Sequence, residues 1–395
     1  MLPTSITTLS LYELGQPVLP GIIPNSVTTL HLDLDDDDPY AKFEQPLEEG
    51  VIPPSVTTLT LGANFKHMIT QTSLPNSITS LKLDYSGLDD EAPPSIPSSV
   101  TDLNINLTCD LEAGSLPASL TTLVLGDDFC HSLAPGSIPF GVTTLKFGDS
   151  FYGIIDIGVI PATVTSLDFG NGFSETLDPG VIPDSVKTLI FGDEYGTHFD
   201  RPVKMTPSML RNPKPDTFWD GTFPNSVTTI KFGKSFDQPL SMDNYVITPP
   251  NLTMIDFGER YSQCLSSECI PSSVTSLTIP NMNNFKLIDG RITLPPTLIQ
   301  LHISHPHPGR EISNDEEIEM EPCLYSKRSY LNHIRGIDNI TFSTWHGKLH
   351  ARRLDDHFGL FFNELMFAMF LQYDQPLKRI TQELRHSNYD LHYNL

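Results

Sequence analysis

The chain has 395 residues, and its 48 acidic side chains against 24 lysines and arginines give a formal net charge of −24. This excess of negative charge repels phosphate backbones and anionic lipid, so nucleic acid and membrane surfaces are poor candidate partners. The longest apolar run, 365–371, is too short to cross a bilayer. We also expect no secretory leader, because repeated sequence begins at Leu2-Pro3.

Cysteine usage points to a reducing compartment. The five cysteines are odd in number and follow no disulfide or metal-binding spacing; they are Cys109, Cys130, Cys264, Cys269 and Cys323. We therefore expect free thiols, a cytoplasmic location, and neither a metal nor a cofactor.

One proline recurs along most of the chain and marks a repeat. Six of the twelve intervals between copies are 22 residues, and the others reflect insertions or small deletions. In every copy Val, Ile or Leu follows three residues later, Leu or Ile six later, and Leu, Ile or Phe eight later. A fixed period of this length predicts a solenoid, because one copy buries too little to fold alone. The prolines are Pro3, Pro24, Pro53, Pro75, Pro97, Pro117, Pro139, Pro161, Pro183, Pro224, Pro249, Pro271 and Pro295.

Each copy predicts one short strand. The last two apolar positions are two residues apart, so both point to the same side, into the array. Proline cannot donate to a ladder and therefore belongs just before the strand. A glycine such as Gly62, Gly126 or Gly148 ends the strand and is interpreted as permitting a sharp turn. The aromatic residue that follows is expected to fill the interior, as Phe65, Phe129, Phe151, Phe173, Tyr195, Phe236 and Tyr261.

The chain resembles the FNIP repeat family in the run Ile-Pro-x-Ser-Val-Thr-Thr-Leu-x-Phe-Gly. Two further segments carry the resemblance, Phe-Glu-Gln-Pro-Leu at 43–47 and Phe-Asp-Gln-Pro-Leu at 236–240. The resemblance covers about 1–304 and implies a relation to leucine-rich repeats, in proteins of amoebae and of the giant viruses that infect them. It also implies ubiquitin-ligase components as candidate partners, because some members resemble substrate-recognition subunits that carry an F-box before the repeats. Since repeats begin at Pro3, we expect no F-box here.

The resemblance departs from ordinary leucine-rich repeats at one position. Asp128, Ser150, Gly172 and Glu194 stand where those repeats place an asparagine ladder. We therefore expect extended or turn backbone rather than helices on that side. The predicted fold is a mostly β solenoid of leucine-rich-repeat type, with about 13 stacked parallel strands and a small α-helical C-terminal cap.

Two insertions interrupt the array. In the acidic segment 33–49, Asp33, Asp35, Asp37 and Glu44 fall at positions 1, 3, 5 and 12 of a calcium-loop template. Asp38 occupies the place where that loop needs glycine, so a solvated acidic loop is favoured and calcium binding stays the alternative. The second insertion, 192–223, is rich in proline and predicted to be a long loop.

The repeat pattern stops after Ile303. Residues 305–322 are predicted to be a linker and 323–395 a helical cap or appended domain that covers the last hydrophobic layer. One helix is expected around Leu324, Leu331 and Ile334, a second over 357–373, and a third after Pro376. The alternative for the second helix is a helix-in-groove ligand.

No catalytic or metal motif stands out. His302, His305 and His307 alternate with prolines and lack a completing cysteine or carboxylate, so a linker is favoured over a metal site. No P-loop or nucleophile elbow occurs.

The best functional signal is geometric. The residue before the central leucine is nearly always Thr or Ser, and the residue after it varies, so both columns should face outward from the sheet. A constant scaffold beside a varying column is typical of an extended recognition surface, although strand propensity alone would also give the threonines. The varying residues are Lys82, Asn104, Val124, Lys146, Asp168, Ile190, Lys231 and Asp256.

We therefore predict a non-enzymatic solenoid that binds a protein partner of unknown identity, as an adaptor or substrate-recognition protein. The alternative is an effector or enzyme whose activity lies in 323–395, with the repeats as its targeting module. A third alternative is a structural expansion product without a dedicated partner.

Overall fold

A computed structural model of the chain describes part of its length. The described residues are 3, 5–11, 17–32, 45–63, 65, 67–85, 94–195, 223–238, 241–242, 245–246, 248–263, 265, 270–280, 287–288, 291–292, 295–304, 339–344, 347–353, 358–363 and 368–372. They fall into two compact units, which we call unit 1 (described residues up to Tyr195) and unit 2 (described residues from Phe223).

Unit 1 is a parallel sheet of nine short strands that pair in chain order. The register aligns the central leucine of each copy with that of the next, as Leu145 with Leu167 and Leu167 with Leu189. The strands are β1 (Thr8–Leu11), β2 (Thr29–Leu32), β3 (Thr58–Leu61), β4 (Ser80–Asp84), β5 (Asp102–Asn106), β6 (Thr122–Leu125), β7 (Thr144–Lys146), β8 (Ser166–Asp168) and β9 (Thr188–Ile190).

Unit 2 begins with the same parallel order. Strands β10 (Thr229–Lys231), β13 (Met254–Asp256), β14 (Ser276–Ile279) and β17 (Gln300–Ser304) pair in succession. Between them lie two short hairpins, β11 (Ser241–Met242) with β12 (Tyr245–Val246) and β15 (Leu287–Ile288) with β16 (Arg291–Ile292). Each of the thirteen prolines stands five residues before the first residue of a parallel strand, which confirms the predicted repeat.

The C-terminal part of unit 2 corrects one prediction. Strand β18 (Asn339–Thr344) pairs in parallel with β17, and β19 (Gly347–Arg353), β20 (Phe358–Asn363) and β21 (Ala368–Gln372) continue the sheet antiparallel. The helix predicted over 357–373 is therefore wrong, because β20 and β21 occupy that range. Nearly every residue of this stretch is apolar, so its pattern has no period that separates helix from strand, and its phenylalanines favour strand.

Three apolar columns form the core of each unit. In the copy that begins at Pro139, Val142, Leu145 and Phe147 have no exposed surface. The aromatic residues after the strands are buried as predicted. They stack from one copy to the next, as Phe129, Phe151 and Phe173 do at ring-centroid distances of 6.2 Å.

Tight turns lie just before and just after the strands and use the repeat's fixed residues. The Val142 N–H donates to the Pro139 carbonyl at 3.1 Å before the strand, and the Phe151 N–H donates to the Gly148 carbonyl at 3.3 Å after it. No helix occurs among the described residues, in agreement with the expected turn or extended backbone.

Hydroxyl groups tie neighbouring copies together in a way that the sequence did not reveal. The hydroxyl two residues after the proline donates to a main-chain carbonyl of the preceding copy at 2.6–2.9 Å, from Ser55, Ser77, Ser99, Ser119, Thr163, Ser185, Ser273 and Thr297. Threonines two residues further along form a second, longer series at 3.0–3.4 Å. These Ser and Thr residues, two and four residues after the proline, therefore link successive copies.

The shorter series predicts a measurable loss of stability. Replacing Ser77 with alanine removes the 2.7 Å hydrogen bond to the Val56 carbonyl, and we expect unit 1 to lose about 1 kcal/mol of unfolding free energy. Thr79→Val removes a more exposed bond of 3.4 Å and keeps the β-branch, so it should cost less than about 0.5 kcal/mol. Urea unfolding followed by circular dichroism measures both, and equal costs would contradict the assignment.

Several predictions lie outside the described residues. These are the candidate calcium ligands Asp33, Asp35, Asp37 and Glu44, most of the 192–223 insertion, the 305–322 linker, the helices near Leu324 and after Pro376, and His305 and His307. The domain boundaries at 304 and 322 remain predictions.

Candidate interaction surface

The sheet register brings the varying residues of unit 1 into one outward row. Lys82, Asn104, Val124, Lys146, Asp168 and Ile190 are successive partners on β4 to β9. The same register extends this row to Ser10, His31 and Thr60, which the sequence analysis missed. Their signal was available, since each stands seven residues after its proline.

Unit 2 carries an equivalent row. Lys231 and Asp256, predicted from the sequence, are register partners on β10 and β13. The row continues through Thr278 on β14 to His302 on β17, two further residues that the sequence analysis did not select. We call the two sets the unit 1 row and the unit 2 row.

Both rows are accessible to solvent apart from Thr60, which is buried. Lys82, Lys146 and Lys231 are exposed. The other predicted members are half-buried; they are Asn104, Val124, Asp168, Ile190 and Asp256. The apolar members Val124 and Ile190 add hydrophobic contact area to a face that is otherwise polar.

An ion pair joins two neighbouring members of the unit 1 row. Lys146 Nζ lies 3.7 Å from Asp168 Oδ2, and the exposed fractions of the two side chains are 48% and 23%. The other carboxylate oxygen of Asp168 accepts the Gly170 N–H at 3.0 Å. Asp168 is thus held by its own turn, whereas Lys146 presents its ammonium group to solvent.

The carboxyl group of Asp256 has a more enclosed environment. Burial raises the pKa of this carboxyl group above its ordinary value. The charges of Lys231 and His302 and a hydrogen bond from the Thr278 side chain act in the opposite direction. Four strands therefore contribute to the electrostatics of one carboxylate.

A ladder of Asx side chains borders the face of unit 1. Asp127 Oδ1 accepts the Asp149 N–H at 3.0 Å, and Asp149 Oδ1 accepts the Asn171 N–H at 3.2 Å. This series lies one residue before Ser150 and Gly172, where the sequence analysis looked for a ladder. Asn106 bridges to Asp128, accepting its N–H at 2.9 Å and donating Nδ2 to its Oδ2 at 2.8 Å. The ladder fixes the turns that frame the row.

The described residues form neither a metal-binding cluster nor a membrane-spanning helix. No three His, Cys, Asp or Glu side chains come together there as a metal site requires. In the same part of the chain, no helix is long and apolar enough to span a membrane.

Stacked parallel strands with one varying outward row define a repeat solenoid of leucine-rich-repeat type. A solved structure is similar: CroV588, described as a novel circular leucine-rich-repeat protein structure, matches with a TM-score of 0.59 and 28% identity. The match covers 76% of the present chain and 43% of CroV588, so the chain spans less than half of that protein.

The chain carries FNIP repeats. The FNIP repeat model matches residues 43–86, 129–172, 217–244 and 247–282, which confirms the resemblance seen in the sequence. A comparison with curated proteins finds no match.

Proposed function

We propose that the protein is a non-enzymatic scaffold that binds a protein partner through the outward rows of its sheets. The observation that carries this proposal is the register, which lines up side chains that vary from copy to copy on a backbone that hardly varies. Extended surfaces of this kind are what solenoids use to bind partners. Because the analogy is one of fold, the rows themselves have to be tested.

The chemistry of the rows favours a particular kind of partner surface. The exposed lysines Lys82, Lys146 and Lys231 offer charged donors, and Val124 and Ile190 offer apolar contact. The net charge of −24 adds attraction toward a partner that is basic overall. We propose an adaptor or substrate-recognition role on this basis, with ubiquitin-ligase components as candidate partners from the family resemblance alone.

Two further observations bear on the location of the protein and on the role of the segment that begins with β18. Cys109 and Cys130 are free thiols, which supports a cytoplasmic location. Strand β18 extends the parallel order of unit 2 by pairing with β17 over five residue pairs. That continuity favours a sheet-completing role for this segment over a separate effector domain.

The proposal predicts that reversing charge on the rows disrupts partner binding. Lys146→Glu and Lys231→Glu should each reduce quantitative affinity capture of the bound proteins by at least about fivefold, on the order of 1 kcal/mol. The reason is that the new carboxylate repels the partner's acidic groups and is itself desolvated on contact.

Lys187→Glu and Lys234→Glu are the matched controls. Both make the same charge change at exposed positions outside the rows, in unit 1 and unit 2 respectively. Captured proteins should persist in these two variants. A partner set that responds equally to all four substitutions would show long-range charge effects only and would overturn the assignment of the rows.

A further inference from the structure

On strands β10, β13, β14 and β17 of unit 2, the outward titratable groups stand in a single row. Lys231, Asp256, Thr278 and His302 follow one another across β10, β13, β14 and β17, in register. Parallel strands lie about 4.8 Å apart, and Thr278 stands on the strand between the other two, so the backbones of Asp256 and His302 are about 10 Å apart. The neighbouring outward positions on the same four strands are uncharged, namely Thr229, Met254, Ser276 and Gln300.

Asp256 and His302 act on each other electrostatically. Burial raises the pKa of the Asp256 carboxyl group, whereas the charges of Lys231 and, to a smaller extent, His302 lower it. Such coupling is reciprocal, so an ionised Asp256 must favour the protonated form of His302 by the same free energy. Partial burial of the carboxylate weakens solvent screening and strengthens this interaction relative to a fully exposed pair.

We propose that Asp256 and His302 form a pH-responsive pair on the face of unit 2, which gains one positive charge when His302 binds a proton in mildly acidic solution. While His302 is neutral, the charged members of the row are Lys231 and Asp256, and their net charge is zero. Histidine is the side chain that ordinarily titrates between pH 5 and 8. Both members are charged only in the interval between the titration of Asp256 and that of His302.

The consequence for binding rests on the proposed function. If the unit 2 row is a recognition surface, it should accept a carboxylate-bearing partner segment better at pH 6 than at pH 8. The pair itself does not depend on that role, so the test below uses the protein without a partner and remains informative whichever way the partner experiments turn out.

The surroundings of His302 determine the controls. Thr341 lies opposite His302 on β18, and the register continues to His350 on β19. In the two flanking rows the register places Arg352 and Lys348 on β19, opposite Asn339 and Ser343 of β18. They are the charged or titratable residues that the described register of β19 sets beside His302.

The experiment is an NMR titration of the full chain with ¹³C-labelled histidine from pH 5 to 8. The His302 resonance is assigned as the one missing from His302→Gln. In Asp256→Asn the midpoint of this resonance should fall, corresponding to a loss of about two- to fivefold in proton affinity. Asp256→Ser is a second variant, should the amide disturb folding.

Two controls isolate the pair. Asp168→Asn removes the equivalent carboxylate in unit 1, and His350→Gln removes the next histidine in register; both should leave the His302 midpoint where it is. An unchanged midpoint in Asp256→Asn and Asp256→Ser would overturn the proposal. A shift in His350→Gln as large as that in Asp256→Asn would do the same, because His302 would then respond to β19.

Discussion

Replacing Gly148 with alanine is expected to destabilise unit 1 by more than about 3 kcal/mol. A Cβ at this position would overlap the carbonyl oxygen of Gly126 in the preceding copy. The obstacle is main chain, so no side-chain rotation relieves it, and two copies must move apart. Thermal or urea unfolding of the full chain, followed by circular dichroism, measures the loss.

Gly158→Ala is the matched comparison. Gly158 has φ of 88°, a left-handed conformation, but no atom lies within 4 Å of a Cβ added there. The substitution should therefore cost only the conformational penalty, about 1–2 kcal/mol. Equal losses for the two variants, or a larger one for Gly158→Ala, would contradict the distinction between close approach and backbone conformation.

The structural reason for the strand-ending glycines could not be predicted from the sequence. The strand-ending glycines were interpreted as turn residues, yet in Gly126, Gly148 and Gly192 φ is not left-handed. Those positions need glycine because the backbone of one copy presses on the next. Most of the described left-handed glycines stand elsewhere, three residues before the proline, as Gly136 and Gly158 do. Gly170 ends a strand and is also left-handed, with φ of 66°. A spacing that recurs from copy to copy shows that a position needs glycine. It does not show whether close approach of the backbone or a left-handed conformation is the cause.

The buried core was predicted correctly, because every copy repeats the same apolar spacing. Burial of Leu145, Leu167 and Leu189 follows from a period that every copy obeys. Where the period ends, so does the prediction: 357–373 was assigned to a helix and contains β20 and β21. The repeat pattern therefore predicts structure only for the residues that follow it, and 357–373 lies outside them.

The candidate surface was partly predictable. Lys146 and Asp168 were selected because they follow the central leucine, and the register makes them neighbours joined at 3.7 Å. The environment of Asp256 was not predictable, because Thr278 and His302 reach it from separate strands. The hydroxyl of Ser77 is similar, since its acceptor is the Val56 carbonyl, 21 positions away. Such contacts depend on which copies lie side by side, and this follows only from the assembled sheet.

Phe151→Ala is the second substitution with a large expected effect, about 3–5 kcal/mol of unfolding free energy. The Phe151 ring is fully buried and stacks on Phe147 at 4.3 Å, Phe129 at 6.2 Å and Phe173 at 6.2 Å, measured between ring centroids. Alanine removes the ring's transfer free energy and leaves a cavity between three aromatic side chains. Each copy packs only on its neighbours, so the loss should open the array at this copy.

Hydrogen exchange distinguishes a local opening from general weakening. In Phe151→Ala, amide protection should fall most in β6, β7 and β8, the strands of the three copies whose rings meet, and much less in β2 and β3. Phe151→Leu fills most of the volume without the stacking and should lose roughly half as much stability. Loss of protection spread evenly over β2 to β9 would mean that unit 1 unfolds as one block, and the copy-by-copy description of its stability would then be wrong.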